Sequence, residues 1–188
     1  HYTSLIQPGG TLIMRQGISL HPRLQEGVKC YTYSTESGDF HAENIRIGGG
    51  EIIFDYVSPL GNIQNVQLGV PVAINIENGI AAMALAQLSG ATNEEIKAGM
   101  ASFRGVDRRF DFKIKTDKIV YLSDYAHHPE EIKQSILSMR ALYEGKKMTG
   151  IFQPHLYTRT RDFYQEFADS LSLLDEVILT DIYPAREL

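Results

Sequence analysis

Apolar and β-forming residues in the first hundred positions occur in short runs, which predict strands rather than long helices. Pro8-Gly9-Gly10 closes an initial stretch that has the pattern of a helix end, and Gly48-Gly49-Gly50 separates two runs as a hairpin turn does. Strands are predicted at 11–15, 29–34, 41–47, 51–57 and 65–72.

Two helices are predicted next along the chain. The first has apolar residues at helical spacing and ends at Gly90. The second opens with the capping box T-x-x-E, from Thr92 to Glu95, and is expected to run through Met100. The apolar residues of the first helix are Ile80, Met83, Ala84 and Leu88.

The second half of the chain has a different pattern. The stretch 103–110 combines glycine and charge without periodicity, and we expect a linker there. Beyond it strands and helices alternate, which predicts a parallel sheet with right-handed crossovers. The predicted strands are 118–124, 147–152 and 176–181, and the predicted helices are 129–143 and 160–173. Because the sheet looks unfinished and the sequence lacks an initiator Met, we expect a piece of a longer protein.

Composition excludes some classes of protein. Of 188 residues, 43% are hydrophobic, so a core can form, and the net charge of −5 argues against non-specific nucleic-acid binding, which needs a basic surface. The single cysteine, Cys30, fits a reducing compartment. No apolar run approaches the roughly 20 residues that a membrane-spanning helix needs. We expect a cytoplasmic protein that binds neither nucleic acid nor membrane.

Polar clusters follow three predicted strands. They are SDYAHHP after Leu122, QPHLYTRTR after Phe152 and DIYPARE after Thr180. Because ligands bind outside the carboxyl ends of the strands in open parallel sheets, we expect these clusters to share one rim. The rim residues are Asp124, Tyr125, His127, His128, His155, Arg159 and Arg161.

Most rim residues have a structural alternative to a functional role. Asp124 can accept hydrogen bonds from ribose hydroxyls, as carboxylates at strand ends do in such folds, or it can be a turn residue. Tyr125 can stack on a nucleotide or lie in the core. His128, directly before Pro129, can simply cap a helix, and Arg161 can be a solvated helix residue.

Three of the rim residues suit an anionic ligand. Arg159 offers bidentate donors to a carboxylate or phosphate, and the imidazoles of His127 and His155 add directional hydrogen bonds. The alternative for Arg159 is a surface ion pair with Asp162, which contributes little.

Two further groups of residues could bind a nucleotide. Arg104, Arg108 and Arg109 form either a solvated basic linker or a phosphate clamp between two domains. Asn75 and Asn78 share a helix face. One of them can be an N-cap, or both can read adenine, whose paired donor and acceptor match a carboxamide.

Four segments, in order along the whole chain, resemble the Mur ligase family. FQPHLYTRTRDF, the most specific, resembles F-Q-P-H-R-Y-[ST]-R-T-R-D, and SDYAHHPEEI resembles D-D-Y-G-H-H-P-T-E. FRGVDRRFDF resembles F-x-G-x-x-R-R-F-D, and NIENGIAA resembles H-N-x-x-N-x-x-A-A. The family's His, Asp, Gly and Arg are replaced by Ile74, Ser123, Ala126 and Leu156, and the last change puts one anionic contact in question.

The resemblance implies an α/β fold. Residues 1–107 would be the back half of a central ATP-binding domain, and residues 108–188 the front part of an incomplete Rossmann-like, parallel-sheet C-terminal ligase domain. It also implies ATP-dependent ligation of L-alanine to UDP-N-acetylmuramate through an acyl phosphate, in peptidoglycan synthesis. The phosphate loop G-x-x-x-x-G-K-[ST] is absent from these residues, and the family's Mg²⁺ ligands lie upstream of them. We therefore expect this chain alone to be inactive and to bind ATP weakly.

Carried over position by position, the resemblance places adenine at Asn75 and Asn78, the ribose at Asp124 with Tyr125 beside it, and the phosphates at Arg109. The residues that it places near the muramoyl-alanine end of the ligand are His127, His155 and Arg159.

Two alternatives remain open. Within the family, an enzyme that joins murein tripeptide to the same sugar nucleotide resembles the DYAHHP segment but lacks a good match to QPHLYTRTR. Outside the family, Asp124, His127, His128 and His155 could ligate the metal ion of a hydrolase, although the side chains of adjacent histidines tend to diverge.

Overall fold

A computed structural model describes residues 2–187, and these form two compact units. The first unit comprises the described residues up to Ile47 together with Glu51–Phe103, and the second comprises Gly48–Gly50 and the residues from Arg104 onward. The assignment of 1–107 and 108–188 to two domains of a longer enzyme stays a prediction. No helix within residues 2–187 is long and apolar enough to cross a membrane.

The first unit contains two small sheets and two helices. Its strands β1 and β2 pair in parallel, and β3, β4 and β5 form a second sheet in that order, with β4 and β5 antiparallel. Its elements are a 3₁₀ turn at Tyr2–Leu5, β1 (Thr11–Arg15), β2 (Lys29–Tyr33), β3 (His41–Gly48), β4 (Glu51–Val57), β5 (Ile63–Gln67), α1 (Ile74–Leu88) and α2 (Asn93–Ser102).

Alternation along β4 positions the core of this unit. Ile52, Phe54 and Tyr56 are almost fully buried, as expected for a strand whose successive side chains point to opposite faces. Buried residues of α1, which include Ile80 and Met83, complete the apolar core.

Most predictions for the first unit are confirmed, with two corrections. The hairpin at Gly48-Gly49-Gly50 and the capping box at Thr92 are present. The strand predicted at 65–72 is wrong in its bounds, because β5 ends at Gln67 and the backbone N–H of Gly69 bonds to the end of α2 instead. A Cβ on Gly69 would lie 2.0 Å from a backbone oxygen, so only glycine fits there. The initial helix end is a 3₁₀ turn rather than an α-helix.

The second unit contains two separate strand pairs and three helices. β6 and β7 form an antiparallel pair, whereas β8 and β9 form a parallel pair. Its elements are β6 (Asp111–Lys115), β7 (Val120–Ser123), α3 (Pro129–Leu142), β8 (Thr149–Phe152), α4 (Tyr157–Asp162), α5 (Tyr164–Leu171) and β9 (Glu176–Leu179).

The alternating strand and helix order is confirmed, but the single parallel sheet is not. The strand β6 was not predicted, and β7 pairs with β6 rather than with β8. Two helices, α4 and α5, replace the one predicted at 160–173. The first begins earlier than predicted, and Phe163 separates the two. Phe163 leaves the helical conformation, with φ −123° and ψ 22°, and its ring packs edge-on against that of His128.

Apolar side chains of α3 and α5 form the core of the second unit. Ile132, Ile136, Phe167 and Leu171 are buried together. The strand pair β8–β9 is covered incompletely, since Ile151 is 70% exposed and every residue of β9 is exposed.

Candidate functional site

The loops that follow β8 and β9 adjoin each other. The backbone N–H of Leu156 donates to the carbonyl of Tyr183 over 2.9 Å, and the N–H of Tyr183 donates to the carbonyl of Pro154 over 2.8 Å. The rings of His155 and Tyr183 lie 5.4 Å apart. Two of the three predicted polar clusters are therefore joined at the carboxyl ends of their strands.

The loop that follows β7 is held by backbone hydrogen bonds. The N–H of Tyr125 donates to the carbonyl of Arg108, and the Glu131 carboxylate accepts from the N–H groups of His127 and His128. The bond from His127 is the main reason that the pKa of Glu131 lies below its ordinary value, and the charge of Arg109 acts in the same direction. The backbone of Arg108, next to the exposed Arg109, therefore lies beside the loop that leads into α3.

His127 has a defined ring orientation. Its Nδ1 lies 2.9 Å from the carbonyl oxygen of Tyr125, and a carbonyl only accepts, so Nδ1 carries the proton. The neutral ring then presents Nε2 as an acceptor, and Nε2 becomes a donor to an anion only when the ring is protonated. The Glu131 carboxylate lies 3.5 Å from Nδ1.

His128 connects this loop to the end of α4. It occupies the N-cap position of α3, as one reading of the sequence proposed, and its ring centroid lies 5.1 Å from that of Phe163. No hydrogen bond or ring contact joins His127 to His155 or Arg159 in the described part of the chain, so convergence of these three on one ligand stays a prediction.

His155 and Arg159 have polar atoms that the protein does not satisfy. His155 Nδ1 and Arg159 Nη1 are buried and lack a hydrogen-bond partner within residues 2–187. The predicted surface alternative, a pair between Arg159 and Asp162, is not formed, because Asp162 pairs with the exposed Arg161 over 2.8 Å. Arg161 is therefore a solvated helix residue, the structural alternative given for it from the sequence. Buried polar atoms are normally satisfied, and a guanidinium only donates, so Arg159 Nη1 suits a ligand that accepts hydrogen bonds.

Asp124 and Tyr125 are accessible at the end of β7. Asp124 is exposed, and its carboxylate accepts a hydrogen bond from the hydroxyl of Ser135. The side chain of Tyr125 is 49% exposed and lies outside the core, with its ring 5.1 Å from that of His127. Both positions are compatible with nucleotide binding.

Asn75 and Asn78 are neighbours in the first two turns of α1. The amide of Asn78 donates to Oδ1 of Asn75 over 3.3 Å, and the amide of Asn75 donates to the carbonyl of Val70 over 3.2 Å. The N-cap of this helix is Ala73, so neither asparagine caps it. Their shared face is confirmed, and their contact with adenine stays a prediction.

Sequence reasoning missed two residues of this region, Ser135 and Tyr183. Ser135 lies eleven residues after Asp124, and Tyr183 meets His155 only through pairing between loops. No local pattern marks either one. Among residues 2–187, no group of three or more His, Cys, Asp or Glu side chains is placed to hold a metal ion.

The chain is similar in sequence to known proteins. Residues 108–188 match the family described as Mur ligase, glutamate ligase domain. The chain is 83% identical over 186 residues to a UDP-N-acetylmuramate–L-alanine ligase of Phocaeicola vulgatus, covering 99% of this chain and 41% of that protein. A protein of the same name from Parabacteroides distasonis is 65% identical, with coverage of 99% and 40%.

A solved structure has a similar fold. The UDP-N-acetylmuramate–alanine ligase of Thermotoga maritima is 28% identical and superposes with a TM-score of 0.69, covering 81% of this chain and 34% of that one. The chain spans about two fifths of the length of the curated relatives named above.

Proposed function

We propose that the chain belongs to the Mur ligase family and that its residues serve in an enzyme that uses ATP to join L-alanine to UDP-N-acetylmuramate. The observation that carries the proposal is the 83% identity to the Phocaeicola vulgatus ligase across almost the whole chain. The unsatisfied guanidinium donor of Arg159 adds a physical reason to expect a ligand that accepts hydrogen bonds.

The residues divide between two ligands in this proposal. Asn75 and Asn78 would contact the adenine of ATP, and Asp124 would accept from the ribose with Tyr125 beside it. The exposed Arg109 would contact the phosphates, where a guanidinium stabilises the charge of phosphoryl transfer.

The second ligand is the anionic muramoyl end of the sugar nucleotide. Arg159 would donate to it, and the imidazoles of His155 and His127 would add directional hydrogen bonds. L-Alanine would be bound at the same rim. These residues position the reactants, which is a large part of what catalysis of this kind requires.

As the resemblance implies, we expect the Mg²⁺ ligands outside this chain, and we assign no step to the metal here. We also propose a cytoplasmic location, which agrees with the free and exposed Cys30.

The test is a graft. This chain replaces the aligned 186 residues in the full-length Phocaeicola vulgatus ligase, and the product, referred to below as the grafted enzyme, is assayed with ATP and UDP-N-acetylmuramate. We expect L-alanine to be ligated at close to the parent rate. A folded grafted enzyme that is inactive, or that prefers a murein tripeptide to L-alanine, would contradict the proposal.

A further inference from the structure

Asp124 is held by a side chain of the helix that follows it. The hydroxyl of Ser135 donates a hydrogen bond to Oδ2 of Asp124. Ser135 is half-buried in the second turn of α3, whereas Asp124 is exposed directly after the end of β7. The bond therefore ties an exposed carboxylate to the packed body of the second unit.

This bond restricts the side chain of Asp124 without blocking it. A solvated aspartate samples several rotamers, and fixing one of them on ligand binding costs free energy. Each carboxylate oxygen accepts at about two lone pairs. A single bond from Ser135 thus leaves Oδ1, and part of Oδ2, available to another donor.

The neighbouring backbone is already fixed by other bonds. The N–H of Tyr125 donates to the carbonyl of Arg108, and Glu131 accepts from the backbone of His127. Within the described residues, Ser135 is the only group that donates to the Asp124 carboxylate. It is therefore the group that sets the direction of this carboxylate.

We propose that Ser135 is a positioning residue for nucleotide binding, which orients the Asp124 carboxylate toward the ribose hydroxyls. The inference rests on the proposed function, in which Asp124 accepts from the ribose of ATP. Ser135 itself does not touch the nucleotide. Its effect is confined to interactions that Asp124 makes.

The test uses variants of the grafted enzyme. Ser135→Ala should raise KM for ATP about 3- to 10-fold, the value of one hydrogen bond, and leave kcat and KM for UDP-N-acetylmuramate unchanged. Alanine is a better helix former than serine, so the helix should persist. Ser135→Thr keeps the hydroxyl and should restore the parent KM. Ser138→Ala, the same change one turn later in α3, is the matched control and should leave KM for ATP unchanged.

Nucleotides that lack one ribose hydroxyl separate positioning from a general defect. The parent should prefer ATP over either 2′-deoxy-ATP or 3′-deoxy-ATP, whichever lacks the hydroxyl that Asp124 accepts. In Ser135→Ala this preference should shrink by the factor by which KM for ATP rises. A general structural defect would raise both KM values equally and leave the preference unchanged, and that result would overturn the inference.

Asp124→Asn distinguishes this inference from the proposed function. If Asp124→Asn leaves KM for ATP and the preference for the hydroxyl intact, the assignment of Asp124 to the ribose is wrong. If Asp124→Asn removes the preference and Ser135→Ala does not, only the positioning role of Ser135 is wrong.

Discussion

The two units differ in which residues adopt a left-handed backbone conformation. Among the described non-glycine residues of the first unit, only Asn44 and Asn65 have positive φ, at 49° and 53°, and asparagine tolerates this region. In the second unit the residues are less tolerant ones: Arg108 at 62°, Phe110 at 48°, Leu156 at 74° and Ala185 at 55°. Two of these flank Arg109, and Leu156 directly follows His155.

The two units also differ in burial. The largest fully buried side chains are concentrated in the first unit, and of these only Leu142 belongs to the second. The second unit exposes apolar residues on β8 and β9 and leaves polar atoms of His155 and Arg159 unsatisfied, and in the first unit the buried hydroxyl of Tyr56 is unsatisfied as well.

The differences in backbone conformation and burial suggest different roles for the core of the first unit and the rim of the second. Strained backbone costs about 1–3 kcal/mol per residue and tends to persist at sites where function requires a fixed geometry. The first unit has a core that can stabilise its fold, whereas the second has residues in a strained backbone conformation near its proposed ligands. We therefore expect mutations in the core of the first unit to act on folding and mutations on the rim of the second to act on binding and rate.

The largest expected effect is on the core of the first unit. Phe54→Ala removes a fully buried ring and should lower the free energy of unfolding by about 3–5 kcal/mol. Urea unfolding of the purified chain measures it. A loss below about 1 kcal/mol would mean that this core is not the main source of stability.

Arg109→Ala should show the opposite behaviour. In the grafted enzyme we expect kcat to fall about 100-fold or more, because an arginine on a transferring phosphate acts where charge develops. KM for UDP-N-acetylmuramate and the free energy of unfolding should change little. The exposed, paired Arg161 offers a control, Arg161→Ala. Normal turnover combined with weak sugar binding would show that the role of Arg109 is misassigned.

Acid should affect the second unit first. Hydrogen bonds lower the pKa values of two described carboxyl groups in the first unit and of five in the second: Asp55 and Glu95, against Asp111, Glu131, Asp175, Glu176 and Glu187. A lowered folded-state pKa contributes stability above about pH 4.5, which is lost as the pH falls through that pKa.

Amide hydrogen exchange as a function of pH tests this order. As the pH is lowered from 6 to 3, β8 and β9 should lose protection before β4. Earlier loss in β4 would contradict the expected order. All seven groups lie near the surface, so the effect should weaken in high salt.

The smallest expected effect is at the exposed surface of β8. Ile151→Ser replaces a side chain that is 70% exposed and should change the free energy of unfolding by less than about 0.5 kcal/mol. Urea unfolding beside Phe54→Ala provides the direct contrast. A loss comparable with that of Phe54→Ala would show that β8 is buried in solution.

Much of the fold could be predicted from local patterns. The capping box at Thr92 specifies a helix start through two bonds within four residues, and Pro129 followed by acidic residues marks the start of α3. These signals depend only on residues that are close in sequence, and for that reason the predictions made from them were correct.

The errors have a different physical origin. The strand β6 pairs with β7, and the ring of Phe163 at the helix break contacts that of His128, 35 positions earlier, so both features involve contacts that no local pattern contains. Apolar runs predicted the strands β8 and β9 but not their exposure.

The candidate site was partly predictable as well. Strand-end position indicated the loops that carry Asp124 and His155, and the structure joins the second of these to Tyr183. The bond from Ser135 and the unsatisfied state of Arg159 depend on packing between elements. No spacing rule in the sequence contains that information.

The most direct measurement of the account is the specificity constant of the grafted enzyme with UDP-N-acetylmuramate varied. Arg159→Ala should lower kcat/KM by a factor that corresponds to a loss of about 1.5–3 kcal/mol in transition-state stabilisation, the value of a charged hydrogen bond. Arg159→Lys should recover only part of this loss, because an ammonium cannot reproduce the bidentate fork. Arg161→Ala, two positions away and paired with Asp162, should leave kcat/KM unchanged. An Arg159→Ala enzyme with the parent specificity constant would contradict the proposal that the second unit binds the anionic end of the sugar nucleotide.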